Sequence, residues 1–119
     1  MATRSAIGWV RSDGLVRAVY CHWDGEPSHQ LPILKEHYNT AAKACSLVAK
    51  GSMSELRTEN TWENGVKRDP QPLYHTKEDS RPAQTFSSTL EALEHFEGMD
   101  CEHLYLYRPG KGWEHTEIQ

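Results

Sequence analysis

No run in the chain approaches the ~18 consecutive apolar residues that a membrane-spanning helix requires, and the opening Met1-Ala2-Thr3-Arg4-Ser5-Ala6 lacks the apolar stretch of a secretory signal. Together these absences predict a cytoplasmic protein without a membrane partner. Cysteine is scarce. Cys21, Cys45 and Cys101 are an odd count at wide spacing with no Cys-x-x-Cys pair, which argues against a disulfide framework or a zinc ribbon and predicts free thiols. Nor is there an excess of positive charge: 13 Lys and Arg against 17 Asp and Glu leave a net charge of -4. That is the reverse of a nucleic-acid binder's footprint, so no direct nucleic-acid contact is expected. The glycines are too scattered for a phosphate-binding loop or a dinucleotide fingerprint, and no Gly-x-Ser-x-Gly elbow is present. The sequence accordingly assigns no catalytic residue and no cofactor.

What is present fits one compact domain over residues 1–119, with an apolar fraction of 37% and a mean hydropathy of -0.75. Four Trp, five Tyr and two Phe supply large buried areas per residue. Ala6 to Arg11 and Leu15 to Cys21 are strand-like runs separated by Ser12-Asp13-Gly14, and Asp-Gly is a tight-hairpin dipeptide. Alternation in the second run puts Val16, Ala18 and Tyr20 on an apolar face and Leu15, Arg17, Val19 and Cys21 on a mixed one. Pro32 suits the first turn of a helix from Leu31 to Tyr38. Thr40 reads as the cap of a second helix, Ala41 to Lys50, stopped at Gly51.

From Ser52 to Gln84 the turn dipeptides Asn64-Gly65, Asp69-Pro70 and Arg81-Pro82 predict mainly loop. Within it, Met53 to Leu56 reads as one helical turn and Leu73-Tyr74-His75 as an edge strand. Ser88-Thr89-Leu90-Glu91 is a capping box, starting a helix to Glu97 with Leu90, Leu93 and Phe96 as its buried stripe. Glu102 to Arg108 and Trp113 to Glu117 form a closing hairpin around Pro109-Gly110-Lys111-Gly112. The pattern ββ, αα, loop, α, ββ predicts an α+β fold: an antiparallel sheet of four or five strands from two terminal hairpins, with three helices on one face. Its expected core is Val16, Ala18, Leu47, Val48, Leu90, Leu93, Phe96, Leu104 and Leu106. An open hairpin edge leaves room for a homodimer.

Chemistry concentrates at Tyr20-Cys21-His22-Trp23-Asp24-Gly25, where aromatic, thiol, imidazole and carboxylate groups crowd together at a strand end. His22, Asp24, His29 and His37 lack the helical His-x-x-x-His spacing, so no metal site is assigned. His22 or His37 as base, Asp24 as its orienting carboxylate and Cys21 or a Ser as nucleophile would be the members of a catalytic set, although Cys21 in a strand reads better as a small buried hydrophobe. Trp23, Trp62 and Trp113 are of the type that anchors interfaces, whereas Trp9 reads as core. Arg4, Arg17, Arg68, Lys77, Arg81 and Arg108 are the cations available to an anion. Glu55, Glu59 and Glu63 would form an acidic stripe on a helix, but Thr58, Asn60 and Thr61 disfavour one.

Thr3-Arg4-Ser5-x-Ile7-Gly8, Val19-Tyr20-Cys21-His22-Trp23-Asp24-Gly25, Ile33-Leu34-x-x-His37-Tyr38 and a closing aromatic strand with Trp113 resemble a group of small, functionally uncharacterised bacteriophage and prophage proteins. The likeness covers roughly the first 50 residues and is weak afterwards. It implies a phage origin and, by genome habitat, an accessory protein of the host cytoplasm that inhibits a bacterial defence complex by direct binding, in the manner of an anti-CRISPR. Arg17, Tyr20, His22, Trp23, Asp24, Tyr38, Trp62 and Arg81 are the expected binding residues. The competing expectation is a sponge or hydrolase for a nucleotide defence signal, with Arg17, His22, Asp24 and Arg81 around a pocket.

Overall fold

The computed structural model describes residues 3–56, 61–68, 72–75 and 80–118, and for residues 61–63, 67, 68 and 73 the backbone alone. The first hairpin forms as its Asp-Gly turn dictates, joining β1 (Ser5–Val10) to β2 (Val16–Trp23), with Gly14 at a φ of 86°. The Leu15 amide bonds the Asp13 carboxylate at 3.1 Å within the turn. The closing hairpin joins β8 (His103–Arg108) to β9 (Gly112–Glu117). Between them lie α1 (Pro27–His37), α2 (Ala41–Ala49), β3 (Met53–Glu55), β4 (Thr61–Glu63), β5 (Val66–Arg68), β6 (Leu73–Tyr74), β7 (Gln84–Phe86) and α3 (Thr89–Glu97).

The strands do not build the expected antiparallel sheet of four or five. Among the described residues the sheet is mixed and seven-stranded, in the order β6-β3-β2-β1-β8-β9, with β7 also on β2. Central β1 pairs antiparallel with β2 and parallel with β8, Ile7 standing between Val19 and Tyr105. The outer edge of β2 is shared: β7 pairs with Val16 to Ala18, and β3 runs parallel to Cys21 and Trp23. The parallel β3 follows from α1 and α2, which carry the chain back across the sheet after β2, as a parallel connection requires. β4 and β5 form a separate two-stranded hairpin around Asn64 (φ 51°) and Gly65 (φ 77°), the backbone signature of a tight Asn-Gly turn. The described parts of the Ser52–Gln84 stretch thus hold short strands between their turns, and Met53 to Glu55 is extended, not helical.

Helices cover both faces of the sheet instead of one. Ile33, Leu34, Ala44, Leu47 and Val48 of α1 and α2 pack on Ile7, Val19, Cys21, Tyr105 and Tyr107. Ala92 and Phe96 of α3 pack on the opposite set, Ala6, Val16, Ala18, Leu104 and Leu106. The "mixed" face of β2 is thus a core face, because Val19 and Cys21 lie under α1 and α2. Such two-sided burial explains why the central strands carry apolar residues at successive positions rather than every other one.

The cap hydroxyls match the sequence, but the Glu91 carboxylate accepts from Ser87 instead of returning to the Ser88 amide. Thr40 Oγ1 accepts from the Lys43 amide at 3.1 Å, and Ser88 Oγ accepts from the Glu91 amide at 3.2 Å. Two further details differ. α1 begins at Pro27, which occupies the favourable first-turn position, so Pro32 lies inside the helix. In α3 the buried residues are Ala92 and Phe96, while Leu90 is 65% exposed and Leu93 only half-buried, so the inward stripe is rotated from the expected one. Among the described residues no helix is long and apolar enough to cross a membrane.

Candidate functional site

β2 delivers Tyr20 and His22 to the face that α3 covers, where Tyr20 packs against the α3 cluster, and Trp23 ends the strand. The Tyr20 hydroxyl lies 2.7 Å from His22 Nδ1. Burial raises the Tyr20 phenol above its ordinary value, against a smaller lowering by the Arg4 guanidinium. The hydroxyl therefore keeps its proton at neutral pH, and it shares one short hydrogen bond with Nδ1. Desolvation, then Arg4, then His75 lower the His22 pKa, so the ring is neutral at pH 7. The Trp23 indole meets the His22 ring edge-on at 4.8 Å and is 45% exposed.

A second histidine joins from β6's far end. The His75 ring stacks with Tyr20 at 6.4 Å and 21°. Ser52 Oγ lies 2.9 Å from His75 Nδ1 and accepts from the Arg81 amide at 2.9 Å. Ser52 thus ties the His75 ring to the Arg81 backbone. Arg4 and Asp100 form an ion pair at 3.5 Å beside this group. Tyr20, His22, Trp23 and His75 form an aromatic rim that carries two imidazoles, suited to packing against flat groups and to hydrogen bonding.

The rim stands on a fixed base. Asp24 takes a left-handed φ of 55°, which aspartate tolerates better than most residues. The Gly25 amide donates to the Thr3 carbonyl at 2.9 Å, and the buried Tyr105 hydroxyl donates to the Gly25 carbonyl at 2.5 Å. Glycine is needed there: a Cβ would sit 2.6 Å from the Thr3 carbonyl oxygen and 2.8 Å from Ser5 Cβ. Beneath, Ser5 Oγ donates to Gln30 Oε1 at 2.8 Å, and Gln30 Nε2 donates to Cys21 Sγ at 3.2 Å, all three residues being fully buried.

The expected residues divide. Tyr20, His22, Trp23 and Asp24 come together, and the Arg81 backbone reaches them through Ser52. Arg17 does not: it alternates to the other side of β2 and donates to Thr85 Oγ1 at 2.8 Å. Tyr38 closes α1 on the opposite face, where its carbonyl accepts from Trp113 Nε1 at 2.8 Å. Trp113 is accordingly a core residue, not an interface anchor. Trp62 lies on the β4–β5 hairpin, with its side chain outside the described set, and Glu59 and Lys77 lie outside the described residues. Glu55 and Glu63 fall in two different strands, so they share no helical stripe.

The His–Asp–Cys set does not assemble. His22 Nδ1 is taken by Tyr20, and Cys21 is buried with its thiol pushed up to about 12, first by desolvation, so it stays protonated at neutral pH. His29 Nε2 lies 2.8 Å from the Leu56 carbonyl oxygen, away from His22. Among the described residues no three His, Cys, Asp or Glu side chains are grouped as a metal ion would need. Sequence reasoning missed His75 and Ser52, since only the β2–β3–β6 order brings them to Tyr20 and no local signal encodes that order. No protein-family model, no curated protein and no solved structure matches the chain.

Proposed function

We propose that the protein is a non-enzymatic binding module that engages a protein partner through the Tyr20–His22–Trp23–His75 rim. One observation carries this reading: a large indole, 45% exposed, stands at the end of a strand whose next residues are clamped by Thr3 and Tyr105. Exposed tryptophan on a rigid support has the character of an interface anchor, because little conformational freedom is lost when a partner covers it. The surroundings suit a basic partner. α3 lies on the face to which Tyr20 and His22 turn and exposes Glu91, Glu94 and Glu97, while Asp100 just beyond its end is paired with Arg4. Charge of one sign beside an aromatic anchor favours a partner of opposite sign.

The resemblance to phage proteins supplies the class of partner: a bacterial defence complex in the host cytoplasm, whose nucleic-acid grooves are basic, inhibited by direct occupation. The test is affinity capture from a bacterial host with the intact protein and with Trp23→Ala. The expected result is a near-stoichiometric host complex whose affinity drops at least ~30-fold in the variant, as loss of an anchor worth ~2 kcal/mol implies, with the circular dichroism unchanged. Failure to recover a specific complex, or equal recovery by Trp23→Ala, overturns the reading.

A further inference from the structure

A cleft of about 490 Å³ lies between α1, α2 and β6, lined by none of Arg17, His22, Asp24 or Arg81. Its size falls within the roughly 300–1,000 Å³ of small-molecule sites. Two tyrosines and two lysines line it, with His37 and Ser46 alongside: Tyr38 and Tyr74, Lys43 and Lys50.

Both aromatic walls are held by their backs. The Tyr74 hydroxyl donates to the Leu47 carbonyl at 2.8 Å, which fastens β6 to α2. The Tyr38 carbonyl accepts from Trp113 Nε1, and the next carbonyl, that of Asn39, accepts from the Tyr107 hydroxyl at 3.5 Å, so the turn carrying Tyr38 is braced against the closing hairpin. Lys50 Nζ lies 5.7 Å from the centre of the Tyr74 ring, which places a cation directly beside a flat apolar surface. Glu36 also lines the cleft, and its carboxylate is turned to His37 at 3.9 Å.

The charge here runs against that of the molecule as a whole. The chain has six lysines, and four of them border either this cleft (Lys43, Lys50) or the smaller cavity of about 290 Å³ on the other side of the Tyr38–Asn39 turn (Lys35, Lys111). The acidic residues of α3 lie across the sheet. A protein of net charge -4 therefore presents a locally positive, aromatic-walled recess. We propose that this cleft binds a small phosphorylated aromatic molecule of nucleoside-monophosphate size, with its ring against Tyr38 and Tyr74 and its phosphate between Lys43 and Lys50. Lysine meets phosphate as a point charge and Ser46 adds a hydroxyl donor, while the tyrosines offer stacking that tolerates different bases.

The test is calorimetric titration of the full chain with AMP and UMP, with adenosine and inorganic phosphate as half-ligands. Lys43 and Lys50 are exposed, so the Lys43→Glu, Lys50→Glu double variant keeps the fold, which its melting temperature checks. The expected result is saturable one-to-one binding of AMP or UMP, weakened at least tenfold in the double variant, with adenosine and phosphate each at least tenfold weaker than the nucleotide. Trp23→Ala is expected to bind the nucleotide as the parent does, since Trp23 does not line the cleft. No saturation by either nucleotide at millimolar concentration, or binding indifferent to the double variant, overturns the proposal. Inorganic phosphate binding as tightly as AMP overturns it as well, because the aromatic walls would then contribute nothing.

Discussion

Replacing Tyr105 by Phe removes a single oxygen and tests whether the base of the rim is built as described. The ring is fully buried between strands, so its apolar burial is kept, and only the hydroxyl bond to the Gly25 carbonyl is lost. Gly25 is itself buried, so water does not readily replace the donor. A buried acceptor deprived of its partner costs about 1–3 kcal/mol. With a urea m-value of about 1–3 kcal/mol/M for a domain of this size, the unfolding midpoint should fall by roughly 0.5–1.5 M. Tryptophan fluorescence in urea reads this directly.

An alkaline arm sharpens the test. Desolvation, then Glu26 and Cys21, hold the Tyr105 phenol well above the 10.0 at which it would titrate in an unfolded chain. The protonated group thus adds stability that is complete below about pH 10 and drains away as the pH climbs towards the folded value. Tyr105→Phe should lose that part of the alkaline decline and show a flatter stability curve above pH 10. An unchanged midpoint in urea together with an unchanged alkaline slope would refute the hydrogen bond and, with it, the clamping of Gly25.

Gln30→Leu should destabilise by about 1–3 kcal/mol by stranding the Ser5 hydroxyl, towards the lower end if that hydroxyl turns to Cys21 Sγ, whereas Ser5→Ala combined with Gln30→Leu should recover much of the loss; purely additive effects in urea would rule out the coupling. Phe96→Ala should cost about 3–5 kcal/mol, while Leu90→Ala, at 65% exposure, should change stability by no more than about 0.5 kcal/mol, and a reversed ranking in thermal melts would displace α3 from its assigned orientation. His22 and His115 are both depressed from 6.5, each chiefly by desolvation and then by a neighbouring positive group or imidazole, so their stabilising effect is present above pH 6.5 and lost as the pH falls through their folded values. NMR titration midpoints at or above 6.5 for either ring would contradict this.

The elements legible in the sequence are those whose signal lies within a few residues of the structure it produces. Asp13-Gly14 specifies the first hairpin, Thr40 and Ser88 cap their helices, and the closing hairpin turns through Gly110 and Gly112 at φ of 83° and 90°. Sheet order has no such local carrier. The parallel contacts of β1 with β8 and of β2 with β3 join residues far apart in the chain, and three-residue strands such as β3 and β7 acquire their state from the strand they lie on. The same limit applies to the rim. Tyr20, His22, Trp23 and Asp24 were legible as a contiguous cluster, but His75 and Ser52 arrive through pairing, and Arg17 was lost to strand alternation.

The position of β1 has a consequence for biosynthesis. Its two neighbours are the strand made immediately after it and one made near the other end of the chain, Ser5 facing both Cys21 and His103. A ribosome adding roughly 5–20 residues per second holds the first hairpin with one flank bare for several seconds before β8 emerges. During that interval Ile7 and Ala6 have no cover from the later strand, so nascent chains should be sensitive to chaperone supply and to stalling just upstream of His103.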